Sequence, residues 1–182
     1  VRRLIFSFLA CLSLAACAGR QPQARVQLPR LQLAPSSLPA PLALQQQLHF
    51  RFGSHERDLE ALLEADTAQV QLAVQAMGRT GVRLRWDGQQ LQQERAPWLP
   101  PQVRAERVLD DLQFALWPAA AIVAVLPAGW SLHEDGNRRE LRQGQTPWLL
   151  LERESDGTLL LDNRAEGYAV RIESMDMQAP QP

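Results

Sequence analysis

The stretch VQLAVQAMGRTGVRLRW, residues 70–86, decides the fold. Val70, Leu72, Val74 and Ala76 occupy alternate positions, Gly78-Arg79-Thr80-Gly81 interrupts, and Val82, Leu84 and Trp86 resume against Arg83 and Arg85. A side-chain period of two puts one face in a core and the other in water, so the stretch predicts two antiparallel strands. The same pattern extends outward. Upstream, Leu42, Leu44, Leu48, Phe50 and Phe52 share one parity, and Leu59, Ala61, Leu63 and Ala65 repeat it before a turn at Asp66-Thr67. Downstream, Asp87-Gly88, Asp135-Gly136 and Asp156-Gly157 are hairpin signals. The closing strands are expected over residues 148–152, 158–162 and 168–174, where Tyr168, Val170 and Ile172 alternate with Ala169, Arg171 and Glu173. The whole describes an antiparallel meander.

One stretch breaks the period. Between Pro101 and Pro118, Ala105, Val108, Leu109, Leu112, Ala115 and Leu116 recur every three or four residues, with Glu106, Arg107, Asp110 and Asp111 opposite. This is an amphipathic helix with a charged outer face. Pro118 can open a second short helix over residues 119–126, stopped by Pro127 and Gly129. Residues 122–125 alone would also suit a strand; the alanines and flanking prolines favour helix. The order is six or seven strands, one or two helices, then four strands. The expected fold is mostly β with inserted helices (α+β), an antiparallel half-open β-barrel covered by a central helical lid. Its apolar interior, the candidate ligand pocket, would be lined by Val70, Leu72, Val74, Val82, Leu84, Trp86, Leu112, Leu116, Trp117 and Ile122.

Composition narrows the function. The 182 residues carry a formal net charge of −1, with no basic field to hold nucleic acid. All 19 cationic residues are arginine. The two cysteines, Cys11 and Cys17, both lie near the start, so the folded part has neither a disulfide framework nor a cysteine zinc site. His49 and His55 are six apart, and helical metal pairs stand four apart and strand pairs two apart. No serine sits in a nucleophile elbow, and no phosphate loop or dinucleotide fingerprint occurs. Asp110 and Asp111, adjacent on the helix, are expected to point apart. No metal, no cofactor and no enzymatic activity are expected.

The front end speaks to location. Arg2 and Arg3 precede an apolar run from Leu4 to Leu14, shorter than the ~20 residues of a membrane-crossing helix and ending in small residues. That is the pattern of a secretory signal, over residues 1–16. Leu14-Ala15-Ala16-Cys17 resembles the lipobox of bacterial lipoproteins. The resemblance implies cleavage before Cys17 and acylation of its sulfur and amine, an anchor of several acyl chains. Ala18, where Asp would signal inner-membrane retention, implies the outer membrane of a Gram-negative cell, facing the periplasm. Residues 17–41 hold Pro22, Pro29, Pro35, Pro39 and Pro41 and no acid, and are expected to form an extended leash. The folded domain is expected over 42–178, with a disordered tail at 179–182.

Several short segments carry a wider resemblance: Met77-Gly78-Arg79-Thr80, Trp86-Asp87-Gly88, Pro97-Trp98-Leu99-Pro100, Leu116-Trp117-Pro118, and Gly167-Tyr168-Ala169-Val170. With the Cys17 box, they resemble a family of uncharacterised bacterial lipoproteins, a domain of unknown function often encoded in aryl-polyene pigment clusters. More distantly the chain is similar to the LolA/LolB group of periplasmic lipoprotein carriers. That likeness implies an apolar half-barrel that takes acyl chains, and an exposed apolar residue on a strand-connecting loop, here Met77, to touch the membrane. The expected function is an outer-membrane-anchored protein that binds or passes on an acylated or hydrophobic molecule: a lipid, a lipoprotein acyl chain or an aryl-polyene lipid. Its partners would be outer-membrane lipid, through acylated Cys17, and that ligand. The alternative is a non-catalytic adaptor lipoprotein whose surface docks an envelope protein.

Overall fold

The computed structural model describes residues 26–99 and 104–177. Residues 1–16, Cys17 and the 179–182 tail lie outside the described residues. Ten strands form one antiparallel sheet: β1 (Leu42–Phe52), β2 (His55–Ala65), β3 (Val70–Ala76), β4 (Arg79–Trp86), β5 (Leu91–Arg95), β6 (Trp130–Asp135), β7 (Arg138–Gln143), β8 (Thr146–Arg153), β9 (Leu159–Asn163) and β10 (Tyr168–Asp176). Two helices, α1 (Ala105–Leu116) and α2 (Ala119–Val125), stand between β5 and β6. Five strands therefore precede the helices and five follow, correcting the expected six or seven and four.

The sheet order is β5-β4-β3-β2-β1-β10-β9-β8-β7-β6. The first and last strands pair at its centre, Leu48 opposite Ile172 and Phe50 opposite Val170, and β5 and β6 remain as edges. The sheet is not closed. Ten strands laid flat would span roughly 43 Å, and the 12 residues of α1 are only ~18 Å long. Yet α1 packs on β4 and β5 at one side, reaches Tyr168 of β10, and has its last carbonyls met from β7. Only a sheet curled around the helix permits this. Inner-face residues Leu63, Val70, Val82, Leu84, Leu141, Leu149, Leu151 and Leu161 form the core with Leu109, Phe114, Trp117 and Ile122 of the helical region.

α1 ends where Trp117 turns to extended backbone, and Arg139 Nη1 donates to Phe114 O at 2.6 Å and Trp117 O at 2.8 Å. A cation on the orphan carbonyls suits the negative end of the helix dipole.

Two expectations are overturned. Residues 26–41 are not a free leash. Leu28, Leu31, Leu33 and Leu38 are buried in the core, and Pro35–Ser37 forms a 3-10 turn. This strap is held from α1 and β4: Asp110 Oδ1 accepts from Leu31 N–H at 2.9 Å, Gln113 bonds both Leu33 N–H and Leu33 O, and Trp86 Nε1 donates to Leu33 O at 2.7 Å. Burial of four leucines and satisfaction of their backbone offset the ordering of a proline-rich chain. Nor is the charged face of α1 solvated: Arg107, Asp110 and Asp111 are all buried.

Candidate functional site

The strap and α1 divide the inner face of the sheet into a sealed part and an accessible one. Of the ten expected pocket residues, Val70, Leu72, Val82, Leu84, Trp86, Trp117 and Ile122 are at most 4% exposed. A ligand-sized void beside them would leave them measurably exposed, so here the space is filled, in part by the strap leucines. Val74, Leu112 and Leu116 are only partly buried against that core.

The accessible part lies at the centre of the sheet. Leu44, Leu48 and Phe50 of β1 and Val170 and Ile172 of β10 point inward, yet none is fully buried. Their neighbours on the same rows, Leu63, Leu159 and Leu161, are. A trough of half-buried apolar side chains thus runs along the β1–β10 seam, interrupted between Leu44 and Leu48 by buried Gln46, whose amide donates to Ser174 Oγ at 2.9 Å, and the Phe50 ring lies 5.3 Å from that of Tyr168. Alternation alone could not single these residues out, because it marks which face they occupy and not what covers it.

Tyr168 joins the trough to a buried polar cluster. Its hydroxyl donates to Asp111 Oδ2 and accepts from Asn163 Nδ2 at 3.1 Å. Arg107 reaches Asp110 at 2.8 Å and Asp111 at 3.4 Å, and Arg30 of the strap meets Asp110 at 3.1 Å. The two aspartates do not act apart, as expected from their adjacency; one guanidinium joins them. Burial pushes the Asp111 carboxyl up to about 6 against the pull of Arg107. Burial raises Asp110 as well, and burial with the nearby Asp111 charge raises Tyr168 well above the phenol range. The cluster ties strap, helix and sheet together. Among the described residues, no three His, Cys, Asp or Glu come together as metal ligands.

The β3–β4 connection is tighter than expected. Met77 and Gly78 have φ of 51° and 70°, two left-handed residues that turn the chain directly into Arg79. Such a two-residue turn favours Asn-Gly, because a side chain at positive φ is strained. Here the strained residue is an apolar one, 95% exposed. Trp98 is also exposed, with the Arg79 guanidinium 5.6 Å from its ring centre. The outer face of the sheet holds open recesses of mixed lining. One is edged by Glu64, Arg83, Arg85 and Glu94 around Leu62 and Ala73, the other by Arg51, Glu56, Arg164 and Arg171 around Leu150, Leu160 and Ala169.

Residues 43–176 match a family described as Protein of unknown function (DUF3261). No curated protein matches the chain.

Proposed function

The chain belongs to the DUF3261 family, and on that premise we propose that it is an outer-membrane lipoprotein that binds or passes on an acylated or otherwise hydrophobic molecule in the periplasm. Acylated Cys17 holds it to the membrane, no catalytic step is involved, and its half-barrel works in the manner of LolA/LolB-like carriers. A lipid, a lipoprotein acyl chain or an aryl-polyene lipid fits this role. The observation that carries the reading is the apolar trough along β1 and β10, left partly accessible while Leu63, Leu159 and Leu161 on the same rows are buried. Uncovered aliphatic surface in a concave site is the ordinary means of holding an apolar chain. Met77, exposed in its strained turn, supports a contact with the membrane, since flexible methionine adapts to lipid.

Solvent extraction of the full chain purified from envelope membranes, followed by mass spectrometry, should recover an acyl or polyene species besides the anchor. Leu48→Arg places a charge in the trough and should deplete that species while the thermal midpoint stays close to native. Cys17→Ala should move the chain from the membrane to the soluble fraction. An empty extract from the native chain rules out the carrier role. The sealing of seven expected pocket residues favours the second reading, a tethered adaptor for an envelope protein; pull-down of a protein with no lipid would support it.

A further inference from the structure

The strap is the longest described segment of the core outside the strands and α-helices, and it ends before the family match begins at residue 43. Its leucines are buried in the same core as Leu72, Trp86, Leu109 and Trp117, residues that the sequence marked as, or placed beside, an apolar pocket. The slot it fills is apolar over much of its wall and polar along α1, where Asp110 Oδ1 and Gln113 Oε1 accept from Leu31 and Leu33 N–H, and at the Leu33–Ala34 carbonyls. There, Trp86 Nε1 and Gln113 Nε2 donate to Leu33 O at 2.7 and 2.9 Å, and Trp117 Nε1 donates to Ala34 O at 3.3 Å. Three side-chain donors from β4 and the end of α1 therefore converge on two consecutive carbonyl oxygens.

We infer that the strap is the resident occupant of an acyl-binding slot, and that the molecule displacing it is an aliphatic chain joined through a neutral carbonyl, an ester or an amide. The inference rests on the proposed carrier reading and adds to the trough a second, occupied place for the acyl part of its ligand. The walls accept extended aliphatic matter because they already hold four leucines. The indole and amide donors, which would be orphaned if the strap simply left, are satisfied again by an ester or amide oxygen, Asp110 keeps Arg107, and an amide N–H can also replace that of Leu33 at Gln113 Oε1. A free carboxylate is disfavoured because the neutral indole and amide donors there do not offset its desolvation, and Arg30 and Arg107 are already engaged by Asp110. Burial of the leucines and the cost of ordering a proline-rich strap oppose one another, which lets a ligand compete.

The full acylated chain would be titrated with methyl cis-parinarate, a polyene ester that fluoresces when it leaves water, while amide exchange is followed at Leu31 and Leu33. Their N–H groups are bonded to Asp110 and Gln113 when the strap is seated. Binding of the ester should deprotect both. A Leu31→Ala, Leu33→Ala double variant, which loosens the strap and leaves the walls intact, should bind the ester about tenfold more tightly because more of it is competent. Free parinaric acid should bind more weakly than the ester. Ester binding with both amides still protected, an unchanged affinity in the double variant, or acid and ester of equal affinity would each overturn this inference while leaving the trough as the ligand site. No binding to native chain or variant would overturn the carrier reading as well.

Discussion

Asp111 lies between the Arg107 guanidinium and the Tyr168 hydroxyl, with Asn163 and Asp110 beside it and Arg30 beyond. In the fold its carboxyl holds a proton up to about pH 6, whereas in the unfolded chain it ionises near its ordinary value of 3.8. Between those values the folded state binds more protons, so stability falls as pH rises through this window and stays lower above it. Asp111→Asn keeps an acceptor for Tyr168 and removes the charge. Because Arg107 keeps Asp110 as its partner at 2.8 Å, the variant should flatten the dependence and stabilise the protein by about 1–3 kcal/mol at pH 8; denaturant melts at pH 4.5 and pH 8 would decide, and parallel behaviour of variant and native chain would refute it. At Met77 the penalty is conformational. Met77→Asn should gain about 0.5–1 kcal/mol in the same melts, since Asn tolerates a φ of 51°. The glycines marked this turn in the sequence, but its length did not follow from them. The β3–β4 register shifts after Val74, and Thr80 and Gly81 join β4 instead of prolonging the loop.

The strap and α1 show how elements depart from their own composition. Five prolines without an acid read as an extended tether, and they would be one if nothing received the leucines between them. What receives them comes from some 80 residues away, and Gln113 is the clearest case: its amide accepts from Leu33 N–H at 3.0 Å and donates to Leu33 O at 2.9 Å. Gln113→Leu would leave a buried N–H without a partner and weaken the bonding of the carbonyl. It should cost about 1–3 kcal/mol and raise amide exchange at Leu33 well above that in β3 or β4. Equal exchange in variant and native chain would show that the amide pair does not hold the strap. The charged side of α1 was misread for the same reason. Charge on a helix means water unless another segment supplies partners, and here the strap and β10 supply them. The two helices themselves, and the hairpins at Asp87-Gly88, Gly136 and Gly157, follow from local periodicity and turn chemistry and stand where the sequence puts them.

At the scale of the molecule, β1 and β10 join two five-strand arrays that are separate in the chain. Ile172 faces Leu48 on one side and Leu159 on the other. Ile172→Pro removes a ladder donor from a central strand and should disrupt both arrays together. Circular dichroism and amide exchange should then report one coincident loss, at a much lower thermal midpoint; survival of β2 to β4 with β7 to β9 unfolded would mean that the arrays are independent. What the sequence by itself determined are the strands, their inward faces, the turns and the helical interruption, because period and turn residues act over a few neighbours. Only the tertiary structure decided that the first and last strands meet, that the strap lies in the core, that two aspartates share one arginine, and which inward-facing side chains stay uncovered. Each of these depends on what packs against a residue from far along the chain, and burial of that kind leaves no periodic mark in the sequence.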